Sequence, residues 1–141
     1  ILLLGTVMGM DSPCNASTPI VLTVNEVAEI IEQIGNSYLA AYADTQVLSI
    51  RGESLTDWFD RLGEKVRLVR FTDGNYNGYR IWGKGVLPAE KLAEEIYRTG
   101  FNGLISFQIP GERYCENPKD AQKQNHFRAL SAWREVMDCQ R

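Results

Sequence analysis

Histidine occurs once in this chain of 141 residues, at His126, and cysteine three times, at Cys14, Cys115 and Cys139. An odd set of thiols without paired spacing excludes a zinc knuckle and argues against a disulfide framework. Free thiols in a reducing, cytoplasmic setting are expected. Cys14 has no base near it in sequence, which sets aside a nucleophile. No apolar run approaches the ~20 residues of a membrane span. The opening Ile1-Leu2-Leu3-Leu4 lacks the basic flank of a signal peptide. Basic residues are not in excess: the net charge is −3, and Lys and Arg are scattered. That speaks against a nucleic-acid partner. Asn15-Ala16-Ser17 fits a glycosylation sequon, but nothing else points to secretion. With 44% hydrophobic and 23% charged residues, the chain has the make-up of one globular domain, read as residues 1–141.

What is present is a repeated order of cap, amphipathic helix, glycine and apolar strand. Thr23 and Glu26 read as a capping box. Val24, Val27, Ile30, Ile31 and Ile34 make an apolar stripe, closed by Gly35. Helices are expected near 24–34, 54–62, 88–99 and 118–137. Strands are expected near 1–5, 38–43, 65–71 and 104–109. Pro88 suits a first helical residue. Leu92, Ala93, Ile96 and Tyr97 are expected to pack inward, as are Phe127, Leu130, Trp133 and Met137 in the last helix. Each strand precedes a helix, so the fold class is α/β with a parallel sheet. Four βα units make half of a (β/α)8 barrel. The long segments follow the strands, at 6–22, 44–53, 72–87 and 110–116, where such proteins build their sites. A half barrel leaves two sheet edges unpaired. The expected partner is another copy or a complementary half-barrel chain. An opening inside a core strand, without methionine, is expected of a fragment, a processed product or one piece of a larger assembly.

Several segments carry a resemblance. Gly100-Phe101-Asn102-Gly103 stands before a strand. Gly83-Lys84-Gly85, Leu62-Gly63-Glu64-Lys65-Val66, Tyr114 to Pro118 and Phe127-Arg128-Ala129-Leu130 follow in matching order. Together they resemble the sugar-phosphate isomerase/epimerase superfamily, the xylose-isomerase-like TIM barrels, in the ketose and fructoselysine 3-epimerase branch. The resemblance covers the chain from Val21 onward and, more loosely, the opening strand. It implies the carboxy-terminal half of the barrel, and a divalent ion, manganese or magnesium, held by Glu, Asp, His and Glu at four strand ends. It also implies that the two glutamates act as acid and base beside a sugar carbonyl.

This sequence departs from that pattern. Leu4 stands at the first glutamate position, and Gln108 at the last. Asp44 matches the aspartate, with Val47 where a second histidine is usual. Arg70 stands at the histidine position. Leucine has no donor atom, arginine cannot lose its proton, and glutamine lacks charge and basicity. The divalent ion is therefore not expected to bind. Asp44 is read first as the ion-pair partner of Arg70, whose guanidinium replaces the ion, and second as a remaining ligand.

The other loops offer candidate substrate contacts. Asp73 either binds a substrate hydroxyl or begins the turn Asp73-Gly74-Asn75, and the turn is preferred. Lys84 lies in a Gly-Lys-Gly segment that reads as a tight loop before an anion cradle. Tyr76, Tyr79, Arg80 and Trp82 crowd one loop, equally suited to a carbohydrate ligand or to a protein interface. His126 reads as a surface or helix-packing residue, and Trp58 and Trp133 as core. Two readings follow. The first is an isomerase/epimerase-family protein without metal-dependent catalysis, acting as a binding or partner subunit. The second is an active sugar epimerase or isomerase whose site another chain completes.

Overall fold

The structure is a computed structural model that describes residues 1–6 and 21–139. Cys14 and the Asn15-Ala16-Ser17 triplet lie outside the described residues. The elements run β1 (Leu2–Leu4), α1 (Val24–Ile34), β2 (Leu39–Asp44), α2 (Thr45–Arg51), α3 (Leu55–Leu62), β3 (Val66–Arg70), β4 (Asp73–Asn75), β5 (Gly78–Arg80), α4 (Ala89–Arg98), β6 (Leu104–Ser106) and α5 (Pro118–Asp138). Strands β1, β2, β3 and β6 form one four-stranded parallel sheet in that order. This is the sheet of a half barrel, with β1 and β6 at its two edges.

Local chemistry accounts for the helix starts. Thr23 and Glu26 form the capping box on α1, and Ser54 with Asp57 forms another on α3. Glu53 ties these two helices together. Its Oε1 accepts from the Val24 N–H at 2.9 Å, and its Oε2 accepts from the Trp58 indole N–H at 2.9 Å. Trp58 is fully buried.

Two elements arise where loops were expected. Residues 45–51 form α2, because Asp44 caps the helix start and Gly52 ends it with φ +72. Residues 73–80 form the β4–β5 hairpin. Asp73-Gly74-Asn75 is strand, and the turn follows it at Tyr76-Asn77, where the Asn77 N–H donates to Asn75 Oδ1 at 2.9 Å.

The core lies between the sheet and the helices. Leu39, Ala41 and Ala43 of β2 and Val66 and Val69 of β3 belong to it, with Phe71 just beyond. A register shift between Ala41 and Tyr42 lets both Val66 and Val69 face the helices. Some inward assignments change. The buried side of α5 is Ala121, Asn125, Ala129, Ala132 and Val136. Phe127 and Met137 are exposed, as are Ile34 of α1 and Tyr97 of α4. Small residues line the buried side of α5, which packs chiefly against α4.

Candidate functional site

Strand alternation assigns the faces of the sheet. The residues between the core-facing ones, Ala40, Tyr42 and Asp44 on β2 and Leu68 and Arg70 on β3, point to the inner face, away from the helices. Leu4 aligns with core-facing Ala41, and Leu3 with Ala40. Leu4 packs against the hydrophobic core. Leu4 is therefore not the inner-face position at the end of β1, and Gly5 is. A Cβ at Gly5 would lie 2.6 Å from the Tyr42 ring. The correction leaves the chemistry unchanged, since glycine has no ligand atom either.

Asp44 ends β2 at 2% exposure. Its Oδ1 accepts from the Thr72 hydroxyl at 2.7 Å and from the backbone N–H groups of Gln46 and Val47 at 3.1 and 3.3 Å. Its Oδ2 accepts from the Tyr79 hydroxyl at 2.9 Å. Burial pushes the Asp44 carboxyl above the ordinary carboxylate range. The hydrogen bonds from Thr72, Tyr79 and Val47, and the charge of Arg70, pull the other way.

The expected Asp44–Arg70 ion pair is not formed. The two residues are register partners on adjacent strands, yet the ion pairs among the described residues are Arg61–Glu32, Arg98–Glu94 and Arg128–Glu90. Asp44 is occupied in capping α2, and the Arg70 guanidinium lies over the Tyr42 ring, 5.0 Å from its centroid. Thr45 and Thr72 lock the same strand ends: the Thr45 hydroxyl donates to Thr72 O at 2.6 Å, and the Thr72 N–H donates back at 2.8 Å.

Asp73 is buried and accepts four backbone N–H bonds. Gly74 and Leu87 donate to Oδ1 at 2.7 and 3.1 Å, and Gly83 and Gly85 donate to Oδ2 at 3.0 and 2.9 Å. The Gly83-Lys84-Gly85 loop thus wraps around an anion that belongs to the chain itself. Its carboxylate is committed to the loop instead of facing a substrate. Trp82 is buried, stacked on Phe71 with centroids 4.4 Å apart, and its indole N–H donates to Phe71 O at 3.1 Å. That places Trp82 in the core. Arg80 is half-buried and donates to Tyr79 O at 2.9 Å, while Lys84 is exposed. His126 lies on α5 with its ring edge-on to Phe107 at 5.7 Å. Gln108 is exposed, beyond the end of β6.

A divalent ion at these strand ends needs several hard oxygen ligands with open lone pairs. The residues present do not fit it. Gly5 and Leu4 offer no donor, Asp44 is spent on four hydrogen bonds, Arg70 brings a fixed positive charge, and Gln108 offers one neutral oxygen. Tyr42, Thr72 and Tyr79, which shape this end of the sheet, were not picked out from sequence in these roles. Asp44 followed by Val47-Leu48 and Gly52 carried the signal of a capped helix.

No family model matches the chain. It is similar to the fructoselysine 3-epimerases of Escherichia coli O157:H7 and Shigella flexneri, at 26% identity over 131 residues, 87% of this chain and 47% of each relative. Solved structures share the fold. An L-ribulose 3-epimerase superposes with a TM-score of 0.65 at 12% identity, over 86% of this chain and 45% of that one. The 3-keto-D-glucoside 4-epimerase of E. coli gives 0.58 at 15%, over 77% and 41%. The D-psicose 3-epimerase of Clostridium cellulolyticum H10 gives 0.55 at 17%, over 83% and 43%. The parallel sheet and its helices thus share the fold of one half of these TIM barrels. In sequence and in fold the chain is similar to xylose-isomerase-like TIM barrels. It spans about half the length of the curated relatives it matches.

Proposed function

We propose that this half barrel is a binding or partner subunit that works without a resident divalent ion. One observation carries the reading: the single retained ligand residue, Asp44, is turned into the N-cap of α2, while Arg70 brings a guanidinium to the neighbouring strand end. Neither residue is available to hold a cation. No inner-face carboxylate stands at the end of β1 or β6 among the described residues, so proton abstraction beside a sugar carbonyl has no base there. Among the described residues β1 and β6 are each paired on one side only, which supports a partner role, with a second copy or a complementary half barrel covering them.

The test is metal content by elemental mass spectrometry, on protein purified without chelator and again after manganese addition. Less than a tenth of an equivalent in both samples is expected. Near one equivalent per chain would overturn the reading in favour of an active epimerase whose site a second chain completes, and ketose epimerisation assays would then follow.

A further inference from the structure

We propose that Arg70 is the recognition element of an anion site on the inner face, taking the carboxylate or phosphate group of an acidic carbohydrate derivative. The assignment deepens the metal-independent reading and rests on it. A guanidinium keeps its charge and, when half-buried, needs an acceptor. Among the described residues, Arg70 has no carboxylate within ion-pair distance. The acid on the adjacent strand, Asp44, has both oxygens engaged by Thr72, Tyr79, Gln46 and Val47. Among the described residues, the Arg70 fork lies over the face of Tyr42.

That contact belongs to a built arrangement. Gly5 directly follows β1, and Tyr42 and Arg70 lie on the next two strands, β2 and β3. The absence of a side chain at Gly5 admits the Tyr42 ring, since a Cβ there would approach it to 2.6 Å. The ring in turn supports the guanidinium. Stacking on an aromatic face holds the planar fork while leaving its N–H edge for a bidentate acceptor. The position that lacks a carboxylate therefore makes room for the platform of a cation. Ser106, the register partner of Arg70 on β6, stands at the same level, and Gln108 lies two residues further on, exposed. A hydroxyl and an amide at these places suit a hydroxyl-bearing carbon chain that carries the anionic group.

The experiment is an NMR titration of the 15N-labelled chain, following the Arg70 Nε–H resonance, which is assigned by its loss in Arg70→Gln. The probes are D-gluconate for the carboxylate, D-glucose 6-phosphate for the phosphate and D-glucitol as the neutral polyol. Saturable shifts are expected for at least one anion at about 10 mM or below, and not for D-glucitol. Which anion saturates identifies the source of the charge. Arg70→Gln should weaken binding at least about tenfold, and Arg70→Lys, which keeps charge without the fork, should fall between. Circular dichroism confirms that both variants fold. No saturation by either anion overturns the proposal, as does binding that survives Arg70→Gln unchanged. A chain that ignores both anions and also takes up no manganese loses this assignment but keeps the metal-independent reading, whereas manganese uptake removes both.

Discussion

Asp73 shows how one side chain can organise a long segment. Four backbone N–H groups from residues 74 to 87 converge on its carboxylate. Asp73→Ala would leave the buried Gly74 donor and three part-buried donors without this partner, and a loss on the order of 2 kcal/mol or more is expected in urea unfolding. A loss below about 1 kcal/mol would mean that the loop holds itself. Asp44 yields a prediction in pH. Burial raises its folded pKa above the unfolded value. The folded chain then keeps the proton longer, so this contribution to stability is fully present below the unfolded pKa and is lost as pH rises through the folded one. Glu26, Glu32 and Asp57 have lowered values and act in the opposite sense. A comparison with Asp44→Asn cancels them. The stability of the chain relative to Asp44→Asn should fall as pH rises from about 3.5 towards neutrality, by thermal unfolding. A difference that stays constant with pH would contradict the burial assigned to Asp44.

At the scale of the element, strand parity decides which substitutions are tolerated. Leu4 packs on the core, and Leu3 belongs to the other face. Leu4→Glu puts an unpaired carboxylate beneath the helix layer and is expected to cost about 3 kcal/mol. Leu3→Glu should cost under about 1 kcal/mol. Equal costs would refute the face assignment of β1. Helix α2 shows why parts of this chain were not legible in its sequence. Its seven residues are too few for a clear helical period, so the segment reads as loop. The β4–β5 hairpin hides for a similar reason: three-residue strands have no alternation to display. In α5 the large apolar residues suggested the inward face. Contact with neighbouring elements instead selects Ala121, Ala129 and Ala132, and leaves Phe127 exposed.

For the molecule as a whole, the two sheet edges are the open question of stability. Leu2 on β1 and Leu104 on β6 are 70% and 72% exposed. Unpaired apolar edges are templates for association. The chain alone at micromolar concentration should therefore be larger than a monomer by light scattering. One monodisperse monomer would show that the edges are protected without a partner. No helix among the described residues is long and apolar enough to cross a membrane.

The amino-acid sequence by itself determined the order of the four parallel strands and of α1, α3, α4 and α5, the capping of α1, and the residue types that stand near the strand ends. Each of these depends on neighbours within a few residues or on the identity of one side chain. The tertiary structure alone decided that Gly5 and not Leu4 ends β1 on the inner face, that Asp44 caps α2 instead of pairing with Arg70, and that Trp82 is core. Those outcomes depend on register between strands and on competition among distant donors for the same oxygen atoms. A linear pattern does not record which donor arrives first.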